Sequence, residues 1–143
     1  MKFCRLSQLD LTYNNVGPDG ALSLAFSLTR NDTLRRLVLR HNLIRDAGCQ
    51  SFAHALASCN SSLTELSLAA NGITDVGGRA LATMLASNAT LCRLDVSANV
   101  FGEVLYGAMY RHKRGLFRHV MSVRPSVRKG KGKGKRLRSR HLL

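Results

Sequence analysis

Residues 34–42, LRRLVLRHN, place leucines at Leu34, Leu37 and Leu39 and an asparagine at Asn42. The same Leu-x-x-Leu-x-Leu-x-x-Asn spacing stands upstream as Leu6, Leu9, Leu11 and Asn14, and downstream as Leu63, Leu66, Leu68 and Asn71. A fourth copy reads Leu91, Leu94, Val96 and Asn99, so the asparagines recur every 28 or 29 residues. An apolar residue follows each of them two positions later: Val16, Ile44, Ile73 and Phe101. Self-similarity at this period marks a repeat architecture, in which each unit is too small to bury its own apolar face and stacks on its neighbours.

The second half of each unit repeats as well. A glycine follows the asparagine by six residues (Gly20, Gly48, Gly77), and offsets of ten, eleven and fourteen hold Leu24, Ala25 and Leu28, then Phe52, Ala53 and Leu56, then Leu81, Ala82 and Leu85. That spacing is one stripe of a helix. Asp46 and Asp75 stand where N-caps are expected, and Pro18 or Asp19 suits a first helical turn. The small glycine and alanine positions predict a close approach of helix to neighbouring strand. Each unit thus predicts a short strand, an asparagine-bearing turn and a helix running back.

Both halves together resemble the leucine-rich repeat family, in its ribonuclease-inhibitor-like subclass, over roughly residues 4–113. The resemblance implies an α/β solenoid, a horseshoe segment with parallel strands on the concave side and helices on the convex side. It implies that Asn14, Asn42, Asn71 and Asn99 face inward as structural residues bonded to turn backbone. It also implies a curved protein-binding scaffold, with no catalysis and no cofactor. The expected organisation is a repeat domain over 1–113 with three full repeats and a degenerate fourth, a C-terminal cap over 114–123 and a disordered polybasic tail over 124–143. The first leucine pattern has no capping unit ahead of it, so its edge strand is expected either to dock on another protein or to continue a longer array.

Strand alternation selects the side chains of the concave face. Its first column is Gln8, Arg36, Glu65 and Arg93; the second is Asp10, Val38, Ser67 and Asp95; the third is Thr12, Arg40, Ala69 and Ser97, with Tyr13 and His41 beside it. The alternating signs of Arg36, Glu65 and Arg93 predict a ladder of cross-strand ion pairs. As a partner surface this face offers Tyr13, Arg36, Val38, Arg40, His41, Glu65, Arg93 and Asp95, with tyrosine and arginine as the anchors. Its mixed sign makes it a poor nucleic-acid groove.

Of the net charge of +14, residues 1–110 carry 9 basic and 8 acidic side chains, whereas residues 111–143 carry 13 basic and none acidic. Lys129, Lys131, Lys133, Lys135, Arg136, Arg138 and Arg140 form a polyanion-binding candidate for RNA, DNA, acidic proteins or an anionic membrane surface, or a nuclear localisation signal. The alternative to the scaffold is therefore a ribonucleoprotein component anchored by that tail.

Other chemistry is excluded on pattern. Cys4, Cys49, Cys59 and Cys92 have no metal-ligand spacing and are expected as buried free thiols; the histidines are scattered, and no phosphate loop or nucleophile elbow is present. Asn31, Asn60 and Asn88 head formal glycosylation sequons, but each recurs at a helix exit, where an asparagine in left-handed geometry explains it. With no apolar run of membrane-spanning length and no leader-like N-terminus, the expected location is intracellular, cytoplasmic or cytoskeletal, with the nucleus as the other compartment. The expected partner is a protein or larger assembly, with no small-molecule substrate.

Overall fold

A computed structural model describes residues 5–102. The boundary expected at residue 113, the cap over 114–123 and the tail over 124–143, including Lys129, Lys131, Lys133, Lys135, Arg136, Arg138 and Arg140, lie outside the described residues, as does Cys4.

The chain alternates strand and helix: β1 (Gln8–Asp10), α1 (Pro18–Leu28), β2 (Arg36–Val38), α2 (Arg45–Ser58), β3 (Glu65–Ser67), α3 (Asp75–Ser87) and β4 (Arg93–Asp95). The strands form one parallel sheet in chain order. Helix α2 packs between α1 and α3. The core lies between the layers: Leu37, Leu66 and Leu94 come from the strand centres, and Ala25, Leu28, Phe52, Leu56, Leu81 and Leu85 come from the helical stripe. Removing the side chain of such a leucine costs about 2–5 kcal/mol. Leu6, at the outer edge of the first repeat, is 52% exposed.

Two asparagine ladders tie repeat to repeat, and both point backward along the chain. Asn42 Oδ1 accepts from the backbone N–H groups of Asn14 and Val16, while its Nδ2 donates to the carbonyls of Leu11, Leu39 and Arg40. Asn99 does the same for Asn71 and Ile73, and Asn71 bonds the Leu39 and Ala69 carbonyls and the Ile44 N–H. Asn14 departs from the inward expectation. Its side chain is exposed and donates to the carbonyl of Thr12, with no earlier strand among the described residues to reach for.

The second ladder corrects the reading of the sequon asparagines. None of Asn31, Asn60 and Asn88 is left-handed; Asn88 has φ −78° and ψ 125°. Asn60 and Asn88 are instead buried, with Nδ2 donating 2.7 Å bonds to the carbonyls of Leu28 and Leu56 near the ends of α1 and α2, the helices one repeat earlier. Their Oδ1 atoms accept from the next N–H groups, at Ser62 and Leu63 and at Thr90 and Leu91. Helix C-termini leave carbonyls without intrahelical partners, and these amides satisfy them. With both ends of each amide engaged in a buried site, the folded state has no room for a glycan at Asn60 or Asn88.

The aspartates are corrected as well. Asp46 and Asp75 sit in the first turns of α2 and α3 and cap the following repeat, not their own helix. Asp46 accepts from Thr74 N–H, Thr74 Oγ1 and Gly77 N–H, and Asp75 accepts from Gly102 N–H. The N-cap of α3 is Thr74, whose hydroxyl accepts from Val76 N–H. Burial opposes the charge of Asp46, but these three donors outweigh it and hold its carboxyl below the usual carboxylate range.

The glycines open helix–helix spacing, not the helix–strand spacing expected. A Cβ at Gly48 would lie 2.6 Å from Ala21 Cβ on α1, and one at Gly77 would lie 2.8 Å from Asp46 Oδ1 and 3.2 Å from Cys49 Cβ on α2. Cys49 is buried, but Cys59 and Cys92 are exposed, contrary to the expectation of buried thiols, because they occupy a helix end and the approach to a strand.

Candidate functional site

Parallel pairing sets the strand residues of the concave face in rows. Gln8 pairs with Arg36, Arg36 with Glu65 and Glu65 with Arg93; Asp10 pairs with Val38, Val38 with Ser67 and Ser67 with Asp95. The first row closes on Glu65, whose two oxygens meet Arg36 Nε at 3.5 Å and Arg93 Nη1 at 3.0 Å. Both arginines are half-exposed, so the pairs fix side-chain direction and add little energy, up to about 1 kcal/mol each.

Apart from Gln8, these residues line a groove of about 470 Å³ together with Thr12, Tyr13, Leu37, Arg40, His41 and Leu66. Of the side chains expected to meet a partner, all eight border this groove: Tyr13, Arg36, Val38, Arg40, His41, Glu65, Arg93 and Asp95. Val38 is buried and forms part of the floor.

Each acid in the groove is already engaged. Asp10 accepts from the hydroxyl and N–H of Thr12, and these two bonds, against a small cost of burial and with help from Arg36 and Arg40, keep its carboxyl below the usual range. Asp95 accepts from Ser67 Oγ, Ser97 Oγ and Ser97 N–H. Arg40 is exposed like Arg36 and Arg93 but differs from them in that its guanidinium makes no hydrogen bond or ion pair among the described residues.

Along one rim of the groove the backbone turns left-handed. Tyr13, His41, Ala70 and Ala98, the residues just before the four ladder asparagines, have φ of 59°, 53°, 53° and 56°. This geometry is unfavourable for residues other than glycine, by roughly 1–3 kcal/mol, and persists only where the surroundings enforce it. Around Tyr13, His41 and Ala70 the ladder does so, binding the carbonyls of Leu11, Leu39 and Leu68 ahead of the turn and the N–H groups of Asn14, Val16, Ile44, Asn71 and Ile73 after it. The rings of Tyr13 and His41 stack, with centroids 4.4 Å apart and planes 9° from parallel. Tyr13 is 72% exposed.

The family model for the Leucine Rich repeat matches residues 5–25, 30–53 and 59–82, three windows that each run from a strand into its helix. The chain belongs to the leucine-rich repeat family. Ribonuclease inhibitor from Mus musculus is 31% identical over 106 residues, which is 74% of this chain and 23% of that protein. FERM domain-containing protein C from Dictyostelium discoideum is 29% identical over 94 residues, 66% of this chain and 6% of that protein. The chain therefore spans a quarter or less of the length of either relative. Among solved structures, the actin-binding site 2 of leiomodin-1 superposes with a TM-score of 0.67 at 19% identity, covering 74% of this chain and 62% of that one. This likeness shows the shared solenoid fold, and the ribonuclease-inhibitor-like character of the units rests on the repeat matches and the ribonuclease inhibitor relative.

Among the described residues of this leucine-rich repeat chain there is no cluster of His, Cys, Asp and Glu able to hold a metal, and no helix long and apolar enough to cross a membrane. The features that pattern reading missed are the Tyr13–His41 stack and the freedom of Arg40. The signal for the first lay in the position before each asparagine, which carries rings in two repeats and alanine in the next two.

Proposed function

We propose that this chain is a non-catalytic protein-interaction scaffold that seats a segment of a partner protein in the groove over its sheet, within a larger intracellular assembly. The observation carrying this reading is the groove itself, where Tyr13, Arg36, Arg40 and His41 stand exposed on backbone held by strand pairing and by the asparagine ladder. Side chains mounted on regular, hydrogen-bonded elements lose little freedom when a partner arrives, which favours affinity. The exposed thiols of Cys59 and Cys92 suit a reducing compartment.

The test is quantitative capture from nuclease-treated cell extract by the full chain and by an Arg36→Glu/Arg40→Glu variant. Proteins held by the native chain and depleted at least about tenfold by the double reversal support the groove as the binding face, since each anchor is worth about 1 kcal/mol or more. Equal capture by both chains removes the groove from the proposal. Capture abolished by nuclease in both chains replaces it with polyanion binding.

A further inference from the structure

The left-handed column is a row of four positions at strand spacing. His41 N–H donates to the Ala69 carbonyl at 3.0 Å, Tyr13 N–H to Arg40 at 3.1 Å and Ala70 N–H to Ser97 at 2.9 Å, so the sheet register continues through it. Neighbouring positions are therefore about 4.8 Å apart. The stack of Tyr13 on His41, at 4.4 Å, runs along the row, and one face of the His41 ring is covered by tyrosine. On the side of His41 away from Tyr13 the row continues with Ala70 and then Ala98, which carry no atom beyond Cβ. Two rings are thus followed by two gaps of the same period.

Arg40 precedes His41 in the chain and lines the same groove. Arg36 and Arg93 are held by Glu65, Asp10 by Thr12, and Asp95 by Ser67 and Ser97. Asp10 is within Coulomb reach of Arg40, and it lies on the Tyr13 side of the row, away from Ala70. In the row of Arg40 itself the next two residues are Ala69 and Ser97, neither charged. A guanidinium free to take a carboxylate and a ring face free to take another ring lie one residue apart.

We infer that this corner is a subsite for an acidic–aromatic segment of the partner protein. Its aromatic side chain enters over Ala70 and continues the Tyr13–His41 stack, and an adjacent carboxylate engages Arg40. Ring stacking rewards a flat side chain over an aliphatic one of equal area, and a guanidinium–carboxylate pair supplies direction through its forked geometry. This inference rests on the concave face being the binding surface.

The probe is a capped tetrapeptide with Asp-Trp at its centre, titrated at millimolar concentration into the isotopically labelled full chain and followed by NMR. Expected are saturable shifts of the His41 ring and the Ala70 and Ala98 methyl signals. Replacing the peptide's Asp by Asn weakens binding about fivefold, and replacing its Trp by Leu about tenfold. Arg40→Gln abolishes the difference between the Asp and Asn peptides. Ala70→Tyr fills the gap with an internal ring, at a backbone geometry where Tyr13 and His41 already carry rings, and abolishes the shifts while signal dispersion elsewhere reports an intact fold.

Absence of saturable shifts at His41 and Ala70, or undiminished binding to Ala70→Tyr, overturns the subsite. Partner capture that survives Ala70→Tyr but fails on Arg36→Glu/Arg40→Glu overturns the subsite and leaves the broader reading standing. Capture that survives both overturns the broader reading and this inference with it.

Discussion

Asp46 grips Thr74 with both carboxylate oxygens, Oδ1 accepting from the backbone N–H and Oδ2 from the hydroxyl, each at 2.8 Å. The two residues belong to successive repeats, so a charge at the start of α2 caps α3. Asp46→Ala is expected to lower stability at neutral pH by about 1–2 kcal/mol, as loss of a cap and a charge-assisted bond does. The folded carboxyl titrates below its ordinary value of 3.8, so its contribution is full above that value and is lost as pH falls through the lower folded one. Denaturant midpoints of native chain and variant should therefore converge in acid. A difference that stays constant from neutral to acid pH would refute the charged role.

Gly77 lies in the same contact. A methyl group there meets Ile73 Cγ2 at 2.6 Å and Asp46 Oδ1 at 2.8 Å, and neither can retreat freely from between packed helices. Gly77→Ala should destabilise by about 1–3 kcal/mol through overpacking, despite the better helix propensity of alanine. Thermal unfolding decides it, and a gain in stability would mean that the helices separate without cost.

Asn14 and Asn42 hold the same place in the motif and should respond differently to alanine. Asn42 is buried and makes five hydrogen bonds, two of them to N–H groups of the previous repeat. Its loss leaves buried backbone groups unsatisfied, at about 2–4 kcal/mol in total. Asn14→Ala removes one exposed bond to Thr12 and should change stability by less than about 0.5 kcal/mol. Chemical denaturation of the two variants under one condition would reveal equal losses if the motif position alone mattered.

Burial, aided by the charge of Asp46, pushes the Cys49 thiol up to about 12. At mildly alkaline pH, maleimide labelling with peptide mapping should mark the exposed Cys59 and Cys92 rapidly and Cys49 only after denaturant is added. Labelling of Cys49 at the rate of Cys59 would show that the α2–α3 seam opens readily.

Much of this arrangement was legible because a parallel solenoid turns equal offsets into contacts. Once the leucines set the period, Arg36, Glu65 and Arg93 had to fall side by side, and their signs then dictated the ion pairs. What escaped were choices that period alone leaves open. An aspartate four residues after the asparagine marks a helix start, but its distance to the next loop, not its offset, makes it cap the following helix. An asparagine at a helix exit suits a left-handed cap and an extended ladder equally by residue type; the helix-end carbonyls of Leu28 and Leu56 in the repeat before select the ladder. The Tyr13–His41 stack depends on a positive φ that neither residue type announces.

The backward reach of the asparagines also bears on how the chain is made. The amides of Asn14 and Val16 find their acceptor on Asn42, 28 and 26 residues later in the sequence. A repeat emerging from the ribosome therefore keeps bare loop amides, bound only to water, until its successor has left the exit tunnel. Each newly translated unit completes the one before it, so the solenoid closes like a ratchet that advances one tooth per repeat in the direction of synthesis.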